Sequence, residues 1–410
     1  MNSKKQYINV MWNTVGSIFY SFCQWLMTVV VVYISTYEDA GFLSIAMTMS
    51  SSFSAIALFS MRNYQISDVN GEYSVHEYVG SRFLTNIIAL VTCTVFSLMK
   101  NTVYMSACVC AFMVIRIAEA FADVLHGQDQ KYDRYDYIGI SYMIRGLLSI
   151  VAYVSILKLT GSLLITLVIV AALNLISVFL WDYRVTNRLE NILPVISLRV
   201  FRLLKICAPI VVFSFLLSVH NLYPKTVLSK MLGNEQLGIY STIATPTLVI
   251  QVFAMVAFNP FLPDISRKYQ CGDMKDFREI FRKLLLVFSA VIVVCYIMSA
   301  LLGKIALRIL FGQKILEHYD LFIPIITVTI LTGIIWVLSA IIIGMRKNAF
   351  LISIILVSML VNVIITKWCI STFGMNGASI AQIIPYSFLV IAMIVRIILS
   401  TGCKDKKEAR

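Results

Sequence analysis

Residues 162–181 read SLLITLVIVAALNLISVFLW, twenty positions without a charge, after which the chain turns at once to Asp182-Tyr-Arg184. A helix of about 20 residues, rising about 1.5 Å per residue, spans the roughly 30 Å hydrocarbon core of a bilayer. The run is too long for a strand, and Ser162 and Asn174 do not interrupt it. It therefore reads as a membrane span, and the same reading works outward in both directions. Eleven further apolar runs of comparable length lie at 11–34, 41–61, 82–99, 103–125, 138–159, 206–229, 238–261, 284–302, 321–344, 349–368 and 376–399. The stretch from Gly303 to Asp320 has only short apolar pieces and is expected at the interface.

The rest of the composition agrees. Of the 410 residues, 59% are hydrophobic and 13% charged, against about 25% charged in a soluble domain. Twelve spans leave only short connections and no room for a soluble catalytic domain. The expected class is an all-α polytopic membrane protein of about twelve transmembrane helices.

The net charge of +13 is first a topology signal. With a cytoplasmic N-terminus, the inner segments hold 23 of the 34 basic residues and the outer segments 7. The positive-inside rule then places both termini in the cytoplasm. Basic residues distributed in this way point to the anionic lipid of the inner leaflet rather than to nucleic acid. The start, Lys4-Lys5 before an apolar run, resembles a signal peptide, but the run is about 24 residues long and contains Asn13, Ser17, Ser21 and Gln24, so it is expected to remain as the first span. The nine cysteines show no metal-ligand spacing and mostly fall inside spans, where they read as small apolar residues.

The basic connection from Asp182 to Lys205 separates the spans six from six, giving expected lobes at 1–190 and 191–410 around a central cavity. Two halves that each begin and end inside fit a parallel repeat about an axis along the membrane normal. Ile196, Val200, Leu203 and Leu204 at helical spacing predict a short interfacial helix there, and Met274, Phe277, Ile280 and Phe281 predict another. All eight prolines lie in the second half, and Pro209, Pro224, Pro246 and Pro385 fall within spans, where a bend is expected.

Function must then use the polar groups that the spans carry into the bilayer, where charge is costly and usually faces a cavity or a partner. Arg116, Glu119 and Asp123 stand at i, i+3 and i+7 on one face of the fourth span, and Arg145 lies about two turns into the fifth. The two arginines suit an anionic headgroup, and Glu119 and Asp123 suit ion coupling. A buried ion-pair network that only orients helices is the competing account. His220, Asn221 and Lys225 share the seventh span. His220 is a candidate proton switch or a hydrogen-bonded structural histidine, and Lys225 either faces a cavity or snorkels to the interface. Arg62, at the end of the second span, is a binding candidate or a positive-inside anchor. Asn13 and Gln24 are weaker candidates. There is no phosphate-binding glycine loop, zinc-type histidine pair or nucleophile elbow, so neither ATP-driven transport within this chain nor a metal or cofactor is expected.

The segment Arg116-Ile-Ala-Glu-Ala-Phe-Ala-Asp-Val-Leu-His-Gly-Gln-Asp-Gln130, with Arg134 and Gly139-Ile-Ser-Tyr-Met-Ile-Arg145, resembles the fourth-to-fifth span region of bacterial polysaccharide repeat-unit flippases. These belong to the multidrug, oligosaccharidyl-lipid and polysaccharide exporter superfamily. Lys230-Met-Leu-Gly-Asn-Glu-Gln-Leu-Gly-Ile-Tyr-Ser241, Glu38-Asp-Ala-Gly41, Phe311-Gly312 and Gly374-Met-Asn-Gly-Ala-Ser-Ile-Ala381 are shorter matches. The span count and half boundary extend the resemblance over essentially the whole chain.

The resemblance implies transport of an undecaprenyl-diphosphate-linked oligosaccharide from the inner to the outer leaflet of the bacterial cytoplasmic membrane, for O-antigen or capsule synthesis. It also implies a cationic cavity between the lobes and, as further partners, a polysaccharide polymerase and chain-length proteins. Arg116, Arg145 and Lys225 would face the diphosphate. The chain departs from the family in having Pro224-Lys225, where an acidic residue often precedes the basic one. Two rivals remain. A polymerase or ligase on the same substrates needs reactive groups in a large outer loop, and 303–320 offers only Glu317, His318 and Asp320. A drug or cation exporter needs intramembrane carboxylates, yet the spans hold four bases and two acids.

Overall fold

The computed structural model describes residues 3–68, 71–247, 265, 267–269 and 271–408, with side chains from 11 to 401 apart from 63 and 67. The described secondary structure is entirely helical. The chain packs as two compact units, Met1–Leu222 and Tyr223–Arg410. The division falls inside a helix rather than in the 182–205 connection where the lobe boundary was expected.

The first unit runs α1 Ser3–Ile34, α2 Tyr37–Leu58, α3 Met61–Ser67, α4 Val75–Lys100, α5 Val103–Lys131, α6 Tyr135–Thr160, α7 Leu163–Ser177, a π-helical turn Val178–Tyr183 and α8 Arg184–Asn187, and closes with the start of α9 Leu198–Leu232. Helix α5 is its axis, in contact with α2, α3, α4 and α7. Ala118, Ala120, Ala122, Val124 and Leu125 on α5 are all fully buried. Small residues on a buried helix let its neighbours approach closely, which drives packing where lipid replaces water. Helix α1 pairs instead with α6, and the crossing is set by two glycines. A Cβ on Gly16 would stand 2.4 Å from the carbonyl oxygen of Gly139, and one on Gly139 would stand 2.3 Å from that of Trp12.

The break between α2 and α3 also positions the site. Phe59 and Ser60 both adopt left-handed φ, 48° and 50°, which side chains other than glycine rarely do. The α2 carbonyls freed by the break need partners, and Ala57 finds two, the Arg82 guanidinium at 2.6 Å and the Thr85 hydroxyl at 2.9 Å.

The second unit continues through the rest of α9, α10 Asn234–Ala244 with a 3₁₀ turn Thr245–Thr247, α11 Met274–Phe311, a 3₁₀ turn Lys314–Leu321, α12 Phe322–Gly344, α13 Asn348–Phe373 and α14 Met375–Glu408. Helix α12 is its most buried span and packs on α14, which also holds α13.

Ten described helices are long and apolar enough to cross a membrane. Two of the twelve expected spans stand outside that ten. The span at 103–125 is α5, wrapped by protein on most sides, and the span at 238–261 lies from residue 248 onward outside the described residues.

Two local expectations change. The segments at 196–204 and 273–283 are not separate interfacial helices, because α9 begins at Leu198 and α11 at Met274 and both run straight on into their spans. Met274, Phe277 and Phe281 do form a buried face, whereas Ile196 is exposed. The stretch at 303–320 is mostly helix, since α11 continues to Phe311 and only Gly312 and Gln313 separate it from the next turn. The helical assignment is unbroken through Pro209, Pro224 and Pro385, and Pro246 sits in the 3₁₀ turn where α10 ends.

Candidate functional site

The α1–α6 glycine crossing fixes the neighbours one turn further along each helix. It brings Tyr20 of α1 beside Tyr142 of α6, with ring centroids 5.7 Å apart. Across from this pair, α5 presents Arg116, Glu119 and Asp123 on the single face their spacing predicts. Together with α2 these helices enclose a pocket of about 370 Å³ inside the first unit. Its walls are Ser17, Tyr20 and Ser21 from α1, Ser51, Ser54 and Leu58 from α2, the three charged residues of α5, and Tyr142 and Arg145 from α6.

The charges are not equivalent. Arg116 donates from Nη1 to Glu119 Oε2 at 2.6 Å, and its guanidinium also lies over the Phe112 ring. The other Glu119 oxygen accepts from the Tyr20 hydroxyl, which itself accepts from Gln24 Nε2 at 3.1 Å. Asp123 is held by two arginines, Arg82 at 3.0 Å and Arg62 at 3.4 Å, and Arg62 also donates to Gln130 at 3.2 Å. Arg145 is different. It is 2% exposed, its guanidinium lies 5.3 and 5.2 Å from the centroids of the Tyr20 and Tyr142 rings, and no carboxylate lies within ion-pair distance of it among the described residues. Cation–π contacts soften the burial of such a charge without neutralising it.

Behind the pocket, His126 Nε2 meets Asp182 Oδ1 at 2.8 Å, both side chains almost wholly buried, and the His126 ring packs edge-on to Tyr142. Asp182 is carried by the π-helical turn, an irregularity that often marks function.

The structure thus brings together four of the sequence candidates, Arg116, Glu119, Asp123 and Arg145, with Arg62 one contact away through Asp123. His220 is buried on α9, and Asn221 and Lys225 come after it; none of the three lines this pocket. Four features escape the sequence reading: Tyr20, Tyr142, Arg82 and the His126–Asp182 pair. Arg82 stands at the start of the expected span 82–99, but α4 starts seven residues before it and the side chain is fully buried. Tyr20 has a readable signal, since Ser17, Tyr20, Ser21 and Gln24 form an i, i+3, i+4, i+7 polar stripe in an apolar helix.

No protein-family model matches the chain. It is 25% identical over 334 residues to the capsular polysaccharide biosynthesis protein CapF of Staphylococcus aureus, covering 80% of this chain and 82% of that protein. Among solved structures it is similar to an inward-facing multidrug resistance MATE family transporter of the MOP superfamily, with a TM-score of 0.70 at 12% identity over 97% of this chain and 99% of the other. It is also similar to a MOP superfamily transporter from Pyrococcus furiosus, described by the reverse polarity of its binding pocket, with a TM-score of 0.59 at 13% identity over 97% and 95% of the two chains. The chain therefore has the MATE-like fold of MOP-superfamily transporters over nearly its whole length. It is a multi-pass membrane protein, and these structural neighbours are transporters, not enzymes. The resemblance carried by residues 116–145 agrees with that fold and with the distant capsule-biosynthesis relative.

Proposed function

We propose that the chain is a flippase that uses the MOP-superfamily fold to move an undecaprenyl-diphosphate-linked oligosaccharide repeat unit from the inner to the outer leaflet by alternating access. The membrane is the bacterial cytoplasmic membrane, both termini are cytoplasmic, and the product serves O-antigen or capsular polysaccharide synthesis. The observation that carries this reading is Arg145, a buried guanidinium beside a polar pocket with no carboxylate to pair with among the described residues. A buried charge is costly unless something offsets it, and guanidinium geometry matches phosphate oxygens in pairs.

The charge balance supports the same substrate. Arg116 and Arg145 line the pocket, Arg62 and Arg82 stand behind Asp123, and only Glu119 and Asp123 oppose them. The excess of two positive charges suits a diphosphate diester. The four serines on the α1 and α2 walls give a sugar small hydroxyl partners without filling the space. Anionic lipid at the inner leaflet, a polymerase and chain-length proteins are the partners this role requires. Export of organic cations is disfavoured because both pocket carboxylates are already held by arginines.

The test is a leaflet-resolved flipping assay in proteoliposomes with an Arg116→Gln/Arg145→Gln double variant. Transport should fall at least tenfold while membrane insertion is unchanged. Full transport by the double variant, at normal protein levels, would remove the basis of the reading.

A further inference from the structure

The pocket already contains an anion on one of its two arginines. Glu119 places one carboxylate oxygen on Arg116 and the other on the Tyr20 hydroxyl. This is the two-oxygen capture by a guanidinium and a hydroxyl that a phosphate group would also satisfy. Tyr20 links the two arginines of the pocket, because its hydroxyl holds Glu119 while its ring faces the Arg145 guanidinium at 5.3 Å. The residue is therefore poised between the cation that is paired and the one that is not.

Resting on the diphosphate reading above, we propose that Glu119 is a built-in substitute for the substrate's phosphate, which occupies Arg116 in the empty pocket and is displaced from it when the diphosphate binds. In this scheme one phosphate of the diphosphate meets Arg145, which has no carboxylate to give up. The second then competes with Glu119 for Arg116. Glu119 releases the Tyr20 hydroxyl as it leaves, and that hydroxyl stays supported by Gln24 from the next turn of α1.

The exchange has a mechanistic purpose. Two arginines left open would hold a diphosphate too tightly to release it in the other leaflet, since an interaction that binds ground state and moving state equally adds affinity without speed. A tethered carboxylate that re-enters Arg116 drives the headgroup off. Without it, affinity rises and turnover falls. A carboxylate that merely orients α5 against α1 would not produce that split.

The experiment uses the full-length protein in lipid nanodiscs with farnesyl diphosphate as the probe, and farnesol as the uncharged control. Glu119→Gln should bind farnesyl diphosphate roughly tenfold more tightly than the natural protein and flip lipid-linked substrate more slowly at saturation, with a lower apparent KM. Tyr20→Phe keeps the ring beside Arg145 but loosens Glu119, and should shift affinity in the same direction by less; it keeps the test decisive if Glu119→Gln does not fold. If the natural protein binds farnesyl diphosphate and neither variant binds it more tightly, Glu119 is not a competitor and the proposal is overturned while the diphosphate reading stands. If neither the natural protein nor Glu119→Gln binds farnesyl diphosphate better than farnesol, the diphosphate reading fails and the exchange fails with it.

Discussion

Arg82 and Asp123 form an ion pair at 3.0 Å in which the arginine is entirely buried and the carboxylate is 20% exposed at the edge of the pocket. The same guanidinium closes the end of α2 through Ala57, so one side chain ties α2, α4 and α5 together. Arg82 is structural, even though its charge adds to the pocket.

Arg82→Gln is therefore expected to destabilise the protein strongly. It leaves the Ala57 carbonyl with only Thr85 and Asp123 with only the partly exposed Arg62. Breaking a buried pair by removing one partner costs about 3–5 kcal/mol, whereas Arg62→Gln should cost less than about 1 kcal/mol because its partner contact is longer and reaches water. Thermal or denaturant unfolding of the purified protein in detergent measures both. Equal losses for the two variants would show that Arg82 is no more structural than Arg62.

Arg145 should behave in the opposite way. No carboxylate lies within ion-pair distance of it among the described residues, and Asp182 and Glu119 act on it only from further away, so Arg145→Gln should change stability by less than about 1 kcal/mol while transport falls at least tenfold. Arg145→Lys should not restore transport fully, since an ammonium lacks the planar group that lies against the Tyr20 and Tyr142 rings. Unfolding measurements paired with the flipping assay separate the two effects. A large stability loss in Arg145→Gln would mean that the residue serves packing and not substrate.

How much of this is legible in the sequence depends on the distance over which each signal acts. The spans are readable because about 20 consecutive apolar residues carry their own evidence, and the α5 face is readable because Arg116, Glu119 and Asp123 are near neighbours on one helix. Arg82 is misplaced when α4 is read from its apolar run alone, although Ser74-Val-His-Glu77 is a capping box that marks the true start. Nothing local pairs His126 with Asp182, 56 residues apart. That pairing depends on a π-helical turn, which adds a residue to the helix and rotates the residues beyond it. Likewise, the i, i+3 spacing offers Arg116 a partner in Glu119, but only the packing shows that Arg145 has no carboxylate within ion-pair distance among the described residues.

The His126–Asp182 pair offers a test of whether the layer behind the pocket is structural. Asp182→Asn keeps an acceptor for a neutral His126 and should cost little, about 1 kcal/mol. Asp182→Ala leaves a buried ring nitrogen without a partner and should cost more, about 1–3 kcal/mol, and should loosen Tyr142, which packs against the His126 ring. Unfolding should order the variants natural, Asn, Ala, and transport by Asp182→Asn should stay within about twofold. A large transport loss in a stable Asp182→Asn protein would instead place this pair in the transport cycle.

The crossing of α1 and α6 builds the site and depends on Gly16 and Gly139. Gly16→Ala puts a methyl group 2.4 Å from a backbone oxygen of α6, which no rotamer can avoid, so α1 and α6 must separate. Overpacking of this kind costs typically about 1–3 kcal/mol, and here it also moves Tyr20 away from Tyr142 and Glu119. Gly146, next to Arg145 on α6, meets only side-chain atoms at 3.3 Å and can accept a methyl with small adjustments of Phe19 and Cys23. Gly16→Ala should therefore lose both stability and transport, while Gly146→Ala should keep most of each. The comparison, made by unfolding and flipping on the two purified variants, isolates the close approach of the helices from the general effect of adding a methyl group. If Gly16→Ala transports normally, the pocket does not depend on the glycine crossing, and the route from Gly16 and Gly139 to the placement of Tyr20 is wrong.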